Sequence, residues 1–257
     1  MKTELIKIVK EAGKVLLENF GGEKASEVLE QKSRYDYSTQ MDKLVEDKIV
    51  ENLRENGFKG TVIAEEGGIT ELTDDDYKIY VDPLDGTINY STGIPMFCTS
   101  IGIKKGNEME MGAIYYPIRD ELFFAEKGKG AFLNGKKILL TNKEKLGDST
   151  IEVGWGSGQK KQRDDILKKL EKVLDVRMLW SAALAVAFIA CGRLDGLVHT
   201  SAHHPWDIAA GSLIIEEAGG KITDFEGKRW DEESKTLVVS NKTLHKKLLD
   251  ELKGWGR

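Results

Sequence analysis

The sequence predicts a layered α/β fold, and three observations carry that expectation. Two amphipathic helical patterns open the chain, a series of short strand-like runs follows, and from about residue 150 strand and helix alternate. Leu5, Ile8, Ala12, Val15, Leu16 and Phe20 recur at helical spacing until Gly21-Gly22 stops them. A polar segment, Glu23 to Tyr37, separates this helix from a second one carrying Leu44, Val45, Ile49 and Leu53, which Asn56-Gly57 ends. Strands are expected over Thr61 to Ala64, Lys78 to Val81, Thr99 to Lys104, Glu110 to Tyr116 and Glu121 to Ala125. Asn134-Gly135 between two apolar runs is a type I′ hairpin signal.

Beyond residue 150 the expected order is a strand at Ile151 to Val153, a helix at Asp164 to Leu174 and a strand at Val176 to Leu179. A buried helix (Ala182 to Ala190), a strand (Leu194 to His199) and a helix (Pro205 to Ala218) come next. Lys221 to Phe225 and Thr236 to Val239 close a sheet before a last helix near Leu244 to Leu252. With no repeat or Pro-rich linker, residues 1–257 read as one catalytic unit. Residues 1–148 give the helix pair and a mostly antiparallel sheet, and 149–257 a mixed α/β layer.

Composition narrows the function. At 40% hydrophobic and 32% charged residues the 257-residue chain is globular. A net charge of −5 without a basic patch argues against nucleic-acid binding. The apolar run from Ala182 to Cys191 is too short to span a membrane. Two distant cysteines, Cys98 and Cys191, and no signal-peptide pattern point to the cytoplasm.

The chemistry concentrates in Val81-Asp82-Pro83-Leu84-Asp85-Gly86-Thr87, which follows a buried-strand pattern. It sets two carboxylates three residues apart at a strand end, where α/β folds bind ligands. A glycine and a hydroxyl then open a turn into a helix, whose first amides favour anions. Carboxylates beside an anion site repel phosphate unless divalent cations lie between them, so the run implies metal-dependent phosphate chemistry. Glu65-Glu66 after the Thr61 to Ala64 strand, Asp207 after Pro205-Trp206, and Asp42 near Asp36 are further acids that can converge. Hard oxygen donors suit Mg²⁺. Read alone, Glu65 is also an ordinary turn residue, and Asp42 and Asp207 are ordinary helix-start acids. Phosphatases with an aspartyl nucleophile carry D-x-D-G-T; the D-x-x-D-G-T spacing here turns the first Asp elsewhere and favours activated water.

Together these stretches resemble the inositol monophosphatase family of Mg²⁺-dependent, Li⁺-sensitive phosphatases. The resemblance runs through Asp36 to Asp42, Ala64-Glu65-Glu66-Gly67, Val81 to Tyr90, Gly112 to Pro117, Gly128 to Gly135, Pro205 to Gly211 and Glu216 to Gly220. It implies an α-β-α-β-α five-layer sandwich of the sugar phosphatase type and a homodimer. It also implies two to three Mg²⁺ ions, held by Glu65, Asp82 and the Leu84 carbonyl, by Asp82, Asp85 and Asp207, and by Glu65 again. Asp42 and Thr87 would orient the attacking water, with the Gly86 and Thr87 amides on the phosphate. The Glu23 to Tyr37 segment matches the family's mobile loop, and Lys32 is a loop candidate with no assigned role.

The pocket is less defined. Animal inositol enzymes place a glutamate where Thr200 stands, and the family usually has glycine at the position of Trp180. Trp180 lines and narrows the pocket, stacks on a substrate ring, or packs in the core, while Ser181, Ala182 and Ser157 are pocket candidates and His203-His204 read as structural or rim residues. The expected substrate is a small sugar or polyol phosphate ester, inositol 1-phosphate or fructose 1,6-bisphosphate. The alternatives are 3′-phosphoadenosine 5′-phosphate, histidinol phosphate, and a non-catalytic role as a phospholigand-binding regulator.

Overall fold

The helix pair packs its apolar stripes on one face of a large sheet, and the rest of the chain builds on the opposite face. The computed structural model describes residues 1–22, 27–33, 36–155, 160–201 and 203–255. Helices α1 (Lys2–Asn19) and α2 (Gln40–Glu55) bury Leu5, Ile8, Val9, Ala12 and Leu16 against Met41, Val45, Ile49 and Leu53. Between them, where a loop was expected from Glu23 to Tyr37, β1 (Val28–Ser33) and β2 (Asp36–Thr39) form an antiparallel pair. The local polarity that suggests a loop equally suits a two-stranded ribbon.

The large sheet comprises β3 (Thr61–Ala64), β4 (Gly68–Glu71), β5 (Tyr77–Asp85), β6 (Cys98–Lys105), β7 (Glu108–Tyr116), β8 (Glu121–Glu126), β9 (Gly130–Leu133) and β10 (Lys136–Lys137). Their spatial order is β10-β9-β8-β7-β6-β5-β3-β4, and only the β3–β5 pair is parallel. Period-two alternation divides its side chains between two cores. Ile79, Val81, Ile101, Ile103, Ala113 and Tyr115 face the helix pair, whereas Tyr80, Cys98, Ile114 and Phe123 face the other way.

That second face is covered by α5 (Ala182–Ala190) and α6 (Pro205–Glu217), which are apolar almost all round because they lie between two sheets. The further sheet has the order β12-β11-β13-β15-β14, from β11 (Thr150–Gly154), β12 (Asp175–Arg177), β13 (Gly196–His199), β14 (Lys221–Thr223) and β15 (Leu237–Ser240). On its outer face α4 (Lys160–Lys169) and α7 (Lys242–Leu252) close a third core around Ile151, Val153, Ile166, Val198, Val238 and Leu248. Helices, sheet, helices, sheet and helices are the five layers expected. The short α3 (Thr87–Ser91) leaves β5 at the sheet's end.

Beyond shifts of one to three residues at other ends, such as β12, β13 and β14, three elements differ from the sequence reading. α4 starts earlier and stops at Lys169, so Leu174 stands exposed in a turn rather than in a helix. The strand β4 was expected as loop, because Gly67-Gly68 reads as a breaker until antiparallel pairing with β3 organises it. β5 runs through Asp85 instead of ending at Val81, with a bulge between Asp82 and Asp85 that breaks its register against β6.

Candidate active site

Close packing of α6 on the large sheet positions the site. Gly102 and Gly112 are directly paired in β6 and β7. A Cβ at Gly112 would sit 2.4 Å from the Ala210 carbonyl oxygen, and one at Gly102 2.8 Å from the Ala210 nitrogen. The missing side chains let the helix backbone rest on the strands. Pro205 starts that helix, and Asp207 in its first turn accepts the His204 N–H at 3.0 Å.

Asp82 is buried and accepts the Leu84 N–H at 3.0 Å. Burial raises its pKa well above the usual carboxylate value, and the charges of Glu65, Asp85, Asp207 and Asp42 raise it further. The structure thus brings together, around Asp82, acids from four other positions spread over most of the chain. Glu65 stands where β3 ends, its N–H 3.3 Å from the Val81 carbonyl of parallel β5. Its turn is fixed by Glu46, a residue the sequence reading missed, which is buried on α2 and accepts the Glu66 N–H at 2.7 Å.

Asp42 is fully buried at the start of α2. It accepts the Thr39 N–H (2.7 Å) and Oγ1–H (2.6 Å), closing a capping box. Thr87 Oγ1 lies 2.9 Å from its other oxygen and 3.0 Å from the Leu84 carbonyl, so one proton serves two acceptors. Burial pushes the Asp42 carboxyl up to about 6, against the pull of the Thr39 and Thr87 hydrogen bonds. Gly86, with φ at 96°, makes the left-handed turn into α3, and a Cβ there would meet the Met96 carbonyl at 2.7 Å.

Asp85, expected as a metal ligand, is bonded to the protein itself. Its carboxylate accepts Ser181 Oγ–H at 2.5 Å and the N–H groups of Ala182, Ala183 and Leu184 at 3.1, 2.8 and 3.3 Å. It therefore anchors the start of α5 from the end of β5. Burial, aided by Asp207, raises its pKa, while Ser181 and the amides oppose the rise. Cys98 Sγ lies 3.6 Å from the same oxygen.

Among the described residues no three His, Cys, Asp or Glu side chains are already drawn together to hold a metal ion. The donor set nevertheless suits one. Several carboxylates, buried or half-buried, raise one another's proton affinity, and the cluster's need is for a hard cation among oxygen donors.

Of the pocket candidates, Ser181 and Ala182 touch Asp85 directly. Trp180 is half exposed with φ at 56°, so it does not pack in the core. Thr200 is buried and turns to Gln162 Oε1 at 3.2 Å. His203, read as structural or rim, packs on His199 and puts Nδ1 3.4 Å from Asp207 Oδ2; burial pushes its pKa down to about 4. His204 stacks on Trp206 with ring centroids 4.6 Å apart. Ser157 and the Lys32 side chain lie outside the described residues. Sequence reasoning also missed Asn89 and Glu152. Both are buried, and both hold the Leu179 backbone, through Nδ2 to its carbonyl (2.7 Å) and Oε1 from its N–H (2.8 Å). Burial pushes Glu152 up to about 8.

Fold and site define a layered α/β sandwich with a buried acidic centre, and comparison with known proteins gives the family. The model of the inositol monophosphatase family matches residues 1–255. The Nus factor SuhB of Pasteurella multocida is 37% identical over 225 residues, covering 86% of this chain and 84% of that protein. The inositol-1-monophosphatase of Mesorhizobium japonicum is 35% identical over 253 residues, 97% and 94% of the two chains. A solved inositol monophosphatase–fructose 1,6-bisphosphatase superposes with a TM-score of 0.82 at 27% identity, covering 98% of this chain and 99% of its own. The chain belongs to the inositol monophosphatase family.

Proposed function

We propose that this protein hydrolyses a small sugar or polyol phosphate, inositol 1-phosphate or fructose 1,6-bisphosphate, with Mg²⁺. The observation that carries the reading is the convergence of Glu65, Asp85, Asp207 and Asp42 on buried Asp82. Glu65, Asp82 and the Leu84 carbonyl would hold one ion, Asp82, Asp85 and Asp207 a second, and Glu65 would help with a third. When bound, the ions supply Lewis-acid neutralisation of phosphoryl charge and a more acidic water.

The chain's own groups then do the placing. Thr87 Oγ1, already bonded to Asp42, orients the attacking water, and Asp42 receives proton density through that hydroxyl. The Gly86 and Thr87 amides at the start of α3 face the phosphoryl oxygens. Asp85 keeps α5 in place, and His203 beside Asp207 stays neutral. Catalysis on this reading is placement and charge neutralisation, with no covalent intermediate. The protein would work in the cytoplasm as a homodimer.

The test is phosphate release from inositol 1-phosphate, fructose 1,6-bisphosphate, 3′-phosphoadenosine 5′-phosphate and histidinol phosphate, with Mg²⁺ or chelator. Asp82→Asn, which keeps an acceptor for Leu84 N–H, serves as control. Release that needs Mg²⁺ and is lost in Asp82→Asn is expected. Release that survives the chelator or the substitution overturns the proposal. The Nus-factor name of the SuhB relative supports a second reading, a protein-binding role that the Asp82→Asn protein would keep.

A further inference from the structure

Trp180 is held where a tryptophan is least at ease. Its φ of 56° is left-handed backbone, which crowds the Cβ of any L-residue and is a genuine outlier for a bulky one. Such strain persists when the surroundings over-determine it, and it gathers at ligand clamps. Here the over-determination is visible on both sides. The preceding peptide is gripped twice: Glu152 Oε1 accepts the Leu179 N–H at 2.8 Å, and Asn89 Nδ2 donates to the Leu179 carbonyl at 2.7 Å. Asn89 is itself fixed by the Met96 carbonyl at 2.7 Å. The following residue, Ser181, is pinned to Asp85.

What this grip presents is an indole left 53% exposed. It stands one residue from the hydroxyl that touches Asp85, and among the described residues it makes no ring–ring contact. Glu152 serves nothing else: among the described residues its second oxygen is buried without a hydrogen-bond partner. A buried carboxyl kept for one backbone N–H is costly unless the position of that backbone matters.

We propose that the Leu179–Ser181 turn, clamped by Glu152 and Asn89, presents Trp180 as a stacking platform for a ring in the substrate's alcohol portion. Trp180 is then a specificity-determining residue, and Glu152 and Asn89 are positioning residues. The shared ligand chemistry is a flat ring face, either the apolar face of a saturated sugar or cyclitol or an aromatic base. The proposal rests on the phosphatase reading for the placement of substrate beside Asp85.

Three esters separate the cases: inositol 1-phosphate (saturated ring), 3′-phosphoadenosine 5′-phosphate (aromatic ring) and glycerol 2-phosphate (no ring). Trp180→Gly should lower kcat/KM for a ring ester about tenfold relative to glycerol 2-phosphate, through KM. Trp180→Phe should keep most of that preference. Glu152→Leu should reproduce the loss, and Glu152→Gln, which still accepts the Leu179 N–H, should restore it. Which ring ester loses more in Trp180→Gly identifies the ring. Equal changes for all three esters, no change for any, or an altered association state with the ester preference intact would overturn the platform. Indole fluorescence quenching by inositol 1-phosphate or 3′-phosphoadenosine 5′-phosphate, lost in Trp180→Phe, reports the contact without turnover. Quenching with no phosphate release from any ester would overturn the phosphatase reading and leave the platform standing.

Discussion

Replacing Asp42 by Asn should stabilise the metal-free protein at neutral pH. The Asp42 carboxyl has a pKa of 3.8 when hydrated and about 6 in the fold. Between those values the folded state holds a proton the unfolded state has released, so stability falls as pH rises. Below 3.8 the loss is absent, and above about 6 it is fully in place. At about 1.4 kcal/mol per pKa unit the loss reaches about 3 kcal/mol at pH 7.5 and about half of that at pH 5. An asparagine avoids it without breaking the network. Its Oδ1 still accepts from Thr39, and its Nδ2 donates to Thr87 Oγ1, which passes its own proton to the Leu84 carbonyl. For a chain of this size the gain corresponds to a rise in Tm of about 6–12 °C. The assay is thermal unfolding by circular dichroism, with chelator, at pH 7.5 and pH 5, beside phosphate release, which should be severely reduced. An Asp42→Asn protein no more stable than wild type at pH 7.5, or equally stabilised at pH 5, would refute the reasoning.

Mg²⁺ should raise the Tm of the wild-type protein, because an ion bound only by the folded state stabilises it by mass action, and Asp82→Asn should blunt the rise. Gly112→Ala should cost about 1–3 kcal/mol by driving α6 off the sheet and should lower phosphate release with it, measured by denaturant titration and initial rates. Asp85→Asn should lose stability as well as turnover, about 1–3 kcal/mol by denaturant titration, since an amide NH₂ would face the α5 N–H donors. Li⁺ should inhibit turnover, occupying one cation position without the charge of Mg²⁺; inhibition constants measured against Mg²⁺ concentration check it. Ca²⁺ should fail to support phosphate release, because its larger and looser coordination misplaces the water.

Periodicity made the layers legible. The spacings of Leu5 to Phe20 and Leu44 to Leu53, and the alternation through β6 to β8, are local consequences of burying one face, so they appear in the sequence as written. The acids were legible too, because two carboxylates, a glycine and a hydroxyl at a strand end serve no packing purpose. The rest depends on partners distant in sequence. Nothing near Asp85 reveals that its carboxylate binds the backbone of residues 182–184, and nothing near Glu152 reveals Leu179. Thr200 reads as a pocket residue by position, and only the fold turns it to Gln162. The left-handed backbone of Trp180 is invisible because tryptophan gives no turn signal; glycine would have.

The dependence of Asp85 on α5 also orders events during synthesis. The large sheet is complete once β10 has emerged, yet the donors that receive Asp85 lie near residue 181, and the helix that fills the Gly102–Gly112 groove starts at Pro205. Roughly eighty residues separate the end of β8 from α6, which at ribosomal speed is roughly 4–16 s. Through that interval the nascent sheet shows water Tyr80, Ile114 and Phe123, which the finished protein buries completely or nearly so. The half-made chain is therefore the state most exposed to misassociation, and the candidate site cannot be completed by Asp207 until that danger is past.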